Sequence, residues 1–259
     1  MSQLDYQIHG SDLQYIEVTL PPQAAVVGEQ GAMMYMDNYL DVETVLGDGT
    51  ASSFGLLGRW FKALKRAYTG ESLFSSRYTN NTANAQRVAF AAPTLGKIVA
   101  VNLAEVGGEL ICQRGAFLAG EAGTEVQLAW QKRIRVGLMG GEGFIMQKLE
   151  GDGMAFCHAG GHIIKRTLQE GASLKIDTGC IVAYTKDIDF DIQFVGGIKN
   201  TFFGGEGIFF ATLKGPGEVW LQTLPISRLA SRVLSYGQGT RKEEGTGLLG
   251  GLGNLIDGD

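Results

Sequence analysis

Three glutamates recur at one point of a repeated string, and each follows a cation at nearly constant distance. Glu71 stands six residues after Lys65, Glu142 seven after Arg135, and Glu206 seven after Lys199. Gathered around one axis, three carboxylates could hold a cation; kept apart, each could tie one unit of the chain to its neighbour. A hard divalent ion takes about six or more oxygens, more than three lone glutamates supply. Lys65, Glu71, Arg135, Glu142, Lys199 and Glu206 are therefore expected as inter-module ion pairs.

The other reactive residue types converge less well. Cys157, His158 and His162 lie close in sequence, but a glycine pair separates the histidines and no fourth ligand is evident, so strand-end packing is favoured over zinc. A G-x-G-x-x-G at Gly245, Gly247 and Gly250 follows no strand, the context that dinucleotide binding requires. No Walker-type loop and no G-x-S-x-G elbow occurs. No catalytic residue, no metal site and no cofactor is expected, and an enzyme is the least favoured class.

The stretch with the clearest surface chemistry is FGLLGRWFKALKRAYT, Phe54 to Thr69. Helical spacing places Leu57, Trp60, Phe61, Leu64 and Tyr68 on one side, with Arg59, Lys62, Lys65 and Arg66 supplying the other. It holds four of the 22 basic residues and none of the 27 acidic ones, so the rest of the chain carries a formal charge of −9. A basic amphipathic helix with tryptophan suits an anionic membrane surface or a groove in a protein partner. The bland alternative is a helix packed on its own scaffold with its basic face in water. The expected interaction surface is Leu57, Trp60, Phe61, Lys62, Leu64, Lys65 and Arg66.

The elements that must position these residues repeat. GGEGFIMQKLEGDGMAF begins at Gly140 and GGEGIFFATLKGPGEVW at Gly204, 64 residues on without a gap; a worn copy, GESLFSSRY, begins at Gly70. The same offset carries GGELICQRGAFLA at Gly107 onto GASLKIDTGCIVA at Gly171, with a divergent QAAVVGEQGAMMY at Gln23. Such copies read as one supersecondary unit used three times and packed against its siblings, with Gly31, Gly115 and Gly179 in equivalent places. From Gly31 to Gly70 is 39 residues, against 26 from Gly115 to Gly141. The first copy therefore carries an addition of about thirteen residues, and the basic stretch falls in it.

Within the 259 residues, 39 glycines against five prolines, with 44% apolar residues, indicate tight turns in a packed protein. Short β-branched or aromatic runs at Val88 to Ala92, Ile181 to Tyr184 and Phe190 to Val195 predict strands. The EGDGM and KGPGE strings predict hairpin turns. A helix is predicted from Ile226 to Tyr236, with a glycine-rich tail beyond it. No apolar run is long enough to span a bilayer, and MSQLDYQIHG lacks the basic and apolar regions of a signal peptide. Three widely spaced cysteines agree with a reducing compartment, so the expected location is cytoplasmic, extending to the inner membrane face.

LKRAYTGESLF (Leu64 to Phe74), the two GGEG strings and GPGEVWLQTLP (Gly215 to Pro225) resemble the bacterial family whose fungal member is named for altered inheritance of mitochondria. The likeness covers nearly the whole chain. It implies a fold similar to the tryptophan RNA-binding attenuator protein: three modules in a pseudo-threefold ring within one chain. It implies no activity and no catalytic or binding residue.

The expected fold is thus all-β: three tandem β-sandwich modules, akin to a short double-stranded β-helix, in a pseudo-threefold ring with one helical insert and a short C-terminal helix. Residues 1–95 form the first module with the insert at 54–69, 96–159 the second, 160–224 the third, and 225–259 the helix and tail. The expected function is a non-enzymatic scaffold or adaptor, working as a homo-oligomer and meeting a protein partner or an anionic membrane surface. The alternative is a small-ligand or nucleic-acid-binding module by fold analogy. A net charge of −5 and a pI near 5.3 argue against nucleic acid.

Overall fold

The computed structural model describes residues 4–46, 74–92, 94–129, 145–195, 208–230, 232–234 and 236. Strand is the dominant element among these residues. The chain opens with β1 (Asp5–His9) and then runs β2 (Tyr15–Leu20), β3 (Ala25–Glu29), β4 (Met33–Met36), β5 (Leu40–Leu46), β6 (Phe74–Asn80) and β7 (Gln86–Ala91). Six more follow: β8 (Gly96–Asn102), β9 (Glu109–Gln113), β10 (Phe117–Glu121), β11 (Glu125–Leu128), β12 (Met146–Glu150) and β13 (Met154–Gly160). The last six are β14 (Ile163–Leu168), β15 (Ser173–Asp177), β16 (Ile181–Thr185), β17 (Asp189–Val195), β18 (Ile208–Lys214) and β19 (Gly217–Gln222). The strands expected around Val88, Ile181 and Phe190 are β7, β16 and β17.

After β1, one order of antiparallel pairing occurs three times. β2, β8 and β14 pair with β7, β13 and β19; β3, β9 and β15 pair with β6, β12 and β18. β4, β10 and β16 lie on the other side of β7, β13 and β19, while β5, β11 and β17 flank β6, β12 and β18. A register shift falls at the same point each time, between Met33 and Tyr35, Phe117 and Ala119, and Ile181 and Ala183. Two further ladders join the groups: β10 pairs with β3, and β16 with β9.

Four sheets result, ordered β1-β2-β7-β4, β5-β6-β3-β10-β13-β8, β11-β12-β9-β16-β19-β14 and β15-β18-β17. They pack face to face as successive layers. Ile16, Val18, Val88 and Phe90 of the first sheet meet Val26, Tyr78, Leu118 and Phe156 of the second. Val27, Phe117, Ala155 and Cys157 of the second meet Leu110, Cys112, Leu149 and Trp220 of the third. Ile111, Met146, Ile181 and Val219 of the third meet Ala211 and Leu213 of the fourth. The central strands of the two inner sheets are therefore buried on both faces, and the sequence of β13, MAFCHAG, is buried throughout. Its even-numbered Met154 and Phe156 face the first sheet, and its odd-numbered Ala155 and Cys157 face the third. A ring would be closed by a ladder between β4 and β15; each of these strands has a single neighbour among the described pairings.

One glycine expectation is corrected, and a second site keeps its place with a different turn. The EGDGM and KGPGE strings are not hairpin turns: β12 and β13 belong to different sheets, as do β18 and β19, so each string carries the chain from one layer to the next. Gly31 and Gly115 adopt left-handed φ of 88° and 77°, but Gly179 lies in a one-turn 3-10 segment at Thr178–Cys180 without positive φ. There the Asp177 side chain accepts from the Gly179 N–H at 2.8 Å, giving the chain a different turn.

Candidate functional site

The three long excursions of the repeat, residues 47–73, 130–144 and 196–207, lie outside the described residues. With them go Leu57, Trp60, Phe61, Lys62, Leu64, Lys65 and Arg66, and the charges Glu71, Arg135, Glu142, Lys199 and Glu206. The backbone from which each excursion departs is described. Leu46 stands opposite Phe74, Leu128 opposite Gln147, and Val195 opposite Ile208. Each excursion thus leaves and rejoins at the open end of one antiparallel ladder, between the fourth and fifth strands of its group.

Two opposite charges lie beside two of these bases. Glu29 ends β3 opposite Ser75, one residue from Phe74. The backbone N–H of Arg114 donates to the Ile145 carbonyl at 2.9 Å, beside the start of β12. Burial raises the carboxyl pKa of Glu29, and the Arg114 guanidinium opposes that shift. The strand-end place of Glu29 is taken in the other groups by Gln113 and Asp177, which are held differently. Gln222 donates to the Gln113 side chain at 3.3 Å, and Arg228 pairs with Asp177 at 2.8 Å. Arg228 comes from the predicted C-terminal helix, which is helical at residues 226–230, 232–234 and 236. Neither the influence of Arg114 on Glu29 nor the Asp177–Arg228 pair was legible in the sequence, because local spacing does not bring such distant residues together.

Thiol and imidazole groups are built into the core. The Cys112 and Cys157 thiols are hydrogen-bonded neighbours between the second and third sheets, and that contact together with burial lifts Cys112 well above the ordinary thiol range. Cys112 is accordingly held as a neutral thiol, unsuited to nucleophilic attack. Cys157 and His158 are consecutive on β13 and point to opposite faces. His158 Nδ1 lies 3.3 Å from Thr94 Oγ1, and burial lowers its pKa. His162 instead gives its backbone N–H to Thr223 Oγ1 at 2.9 Å. Cys157, His158 and His162 do not converge, and no group of three metal-capable side chains is found among the described residues. No described helix is long and apolar enough to cross a membrane.

Comparison with known proteins agrees with this layered architecture. A solved crystal structure of a Streptococcus pyogenes protein superposes with a TM-score of 0.70 at 25% identity, covering 90% of this chain and 100% of that one. An uncharacterised protein of Streptococcus pyogenes serotype M6 is 30% identical over 226 residues, 85% of this chain and 86% of the relative. Residues 6–224, from β1 to just past β19, match the family described as mitochondrial biogenesis AIM24, and the chain belongs to that family.

Proposed function

We propose that this protein is a non-enzymatic scaffold or adaptor whose working surface is the basic, aromatic segment 54–69. It reads as three tandem modules, residues 1–95, 96–159 and 160–224, followed by the 225–259 tail, and the threefold recurrence of one strand-pairing order supports that reading. The carrying observation is where the segment is rooted. Leu46 and Phe74 face each other across a ladder, so the extra residues of the first module enter and leave from one fixed base. Insertion there leaves the pairing of β5 with β6 intact, and the four cations of 54–69 are free to differ in chemistry from an acidic remainder.

The partner chemistry that fits is an anionic surface: a membrane at the inner face of the cytoplasmic compartment, or an acidic groove on a protein. Trp60, Phe61, Leu57 and Leu64 would enter the apolar layer while Lys62, Lys65 and Arg66 meet the charge. Lys65, Arg135 and Lys199 with Glu71, Glu142 and Glu206 would tie the excursions of neighbouring modules together. Co-sedimentation with anionic vesicles, set beside an RNA mobility shift, separates this reading from nucleic-acid binding. The scaffold reading expects vesicle binding that falls with salt and is lost in Trp60→Ser/Phe61→Ser, with no RNA shift.

A further inference from the structure

We infer that copies of this chain join head to tail, strand β15 of one copy pairing antiparallel with strand β4 of the next, in the register that already joins the modules inside each chain. Two such joints are present. In one, Ala119, Gly120 and Glu121 of β10 face Gly28, Val27 and Val26 of β3. In the other, Ala183, Tyr184 and Thr185 of β16 face Cys112, Ile111 and Leu110 of β9. The second follows from the first by one shift of 64 residues on β10 and one of 84 on β3, the same offsets that relate the bulges. β4 is the counterpart of β10 and β16, and β15 the counterpart of β3 and β9; both are sheet edges with one neighbour among the described residues. Carrying the register across predicts Tyr35 opposite Ile176, Met36 opposite Lys175, and Asp37 opposite Leu174.

The exposed apolar side chains fall where a mate is missing. The bulge residue Met34 is 49% exposed, whereas its counterparts Leu118 and Val182 are each 1%. Tyr35 is exposed, and its counterparts Ala119 and Ala183 are buried. Val42, on the face of the second sheet that carries Tyr78, is 49% exposed against 4% for its counterpart Val126. In the inner groups these positions are covered by the sheet of the preceding module. No module precedes the first among the described residues.

The other end matches. Lys175 and Phe210 lie on the outer face of the fourth sheet, the ammonium 5.7 Å from the ring centroid. Their counterparts Ile111 and Met146 are buried under the following sheet. A second copy seated on this end would cover Phe210 and the lysine stem with its own second sheet, and its Met34 and Tyr35 would come under the third sheet of the first copy. Edge pairing of this kind adds main-chain hydrogen bonds to an existing sheet. Because the two surfaces differ, the contact is heterologous and builds a closed ring of copies or an open file.

Sedimentation velocity on the full chain across a concentration series is the first test. The parent should move from monomer to larger species as concentration rises. Met34→Lys/Tyr35→Lys, which alters only exposed side chains, should melt as the parent does yet need at least tenfold higher concentration to associate. The second test uses a Cys180→Ser background with Met36→Cys on one preparation and Lys175→Cys on another. Directly opposed strand residues lie within disulfide reach, so mixing should give a dimer containing one of each. A parent that stays monomeric throughout overturns the inference. So do like-with-like dimers that outnumber mixed ones, or a third preparation carrying both cysteines that links only within its own chain.

Discussion

Gly28 and Phe90 test the packing of the first sheet on the second through a single pair. Phe90, on β7, is fully buried, and its ring lies edge-on to Tyr78 with centroids 5.3 Å apart. Gly28, on β3 across the layer, has no side chain because the ring occupies that space: a Cβ there would sit 2.4 Å from Phe90 Cε1 and 2.9 Å from Cδ1. Gly28→Ala should therefore destabilise by about 1–3 kcal/mol through overpacking. Phe90→Ala should cost about 3–5 kcal/mol through lost burial and a cavity. In the Phe90→Ala background the extra methyl enters that cavity, and replacing a strand glycine by alanine recovers roughly 0.5–1 kcal/mol of chain entropy. The Gly28→Ala effect should then vanish or change sign, giving a coupling on the order of 1–3 kcal/mol. Urea denaturation of the four proteins, fitted with a common slope, measures it. Additive costs, with Gly28→Ala equally harmful in both backgrounds, would refute the face-to-face placement of these layers.

Three further outcomes are expected. Asn80 is fully buried, its amide donating to the Leu20 and Asn84 carbonyls at 2.8 Å while its oxygen accepts from Thr82; Asn80→Ala should cost about 3 kcal/mol by urea midpoint because these carbonyls lose their donor. His158 has a folded pKa below the ordinary value, so as pH falls through about 6.5 the unfolded chain gains a proton that the folded chain refuses, and stability drops by up to about 1.4 kcal/mol per unit of the shift; His158→Asn should flatten the stability curve between pH 7 and 5.5 relative to the parent. Arg228→Ala removes a partly exposed pair with Asp177 and should lower the melting stability by less than about 1 kcal/mol, while proteolysis near residue 226 becomes faster.

The legible part of the fold was its recurrence. Strings 64 residues apart become β9 and β15, β10 and β16, β12 and β18, and β13 and β19, because a repeated pattern of apolar residues and glycines repeats the physical demands on the backbone. The layer order was not legible. β10 and β16 are apolar on both faces, which a short run cannot distinguish from one-sided burial, and the glycine strings after β12 and β18 look like hairpin turns although they change sheets. The turn at Gly179 departs from those at Gly31 and Gly115 because Asp177 captures its N–H, a local competition that a glycine count does not register. For the candidate site, the unusual charge of 54–69 was visible at once, since four cations without an acid in sixteen residues stand out against an acidic chain. The electrostatics around its base, Arg114 acting on Glu29 above all, depend on which ladders neighbour each other and so required the sheet order.

Binding of the full chain to anionic vesicles, followed by sedimentation across a salt series beside Trp60→Ser/Phe61→Ser, bears most directly on the proposed role of residues 54–69. Each cation near such a surface contributes roughly 1 kcal/mol, so the parent should bind at low salt, release as salt rises and ignore neutral vesicles, while the double variant stays in the supernatant with an unchanged melting curve. A parent that never sediments with anionic vesicles, paired with a double variant that melts many degrees lower, would contradict the account and make the segment a packed part of the scaffold.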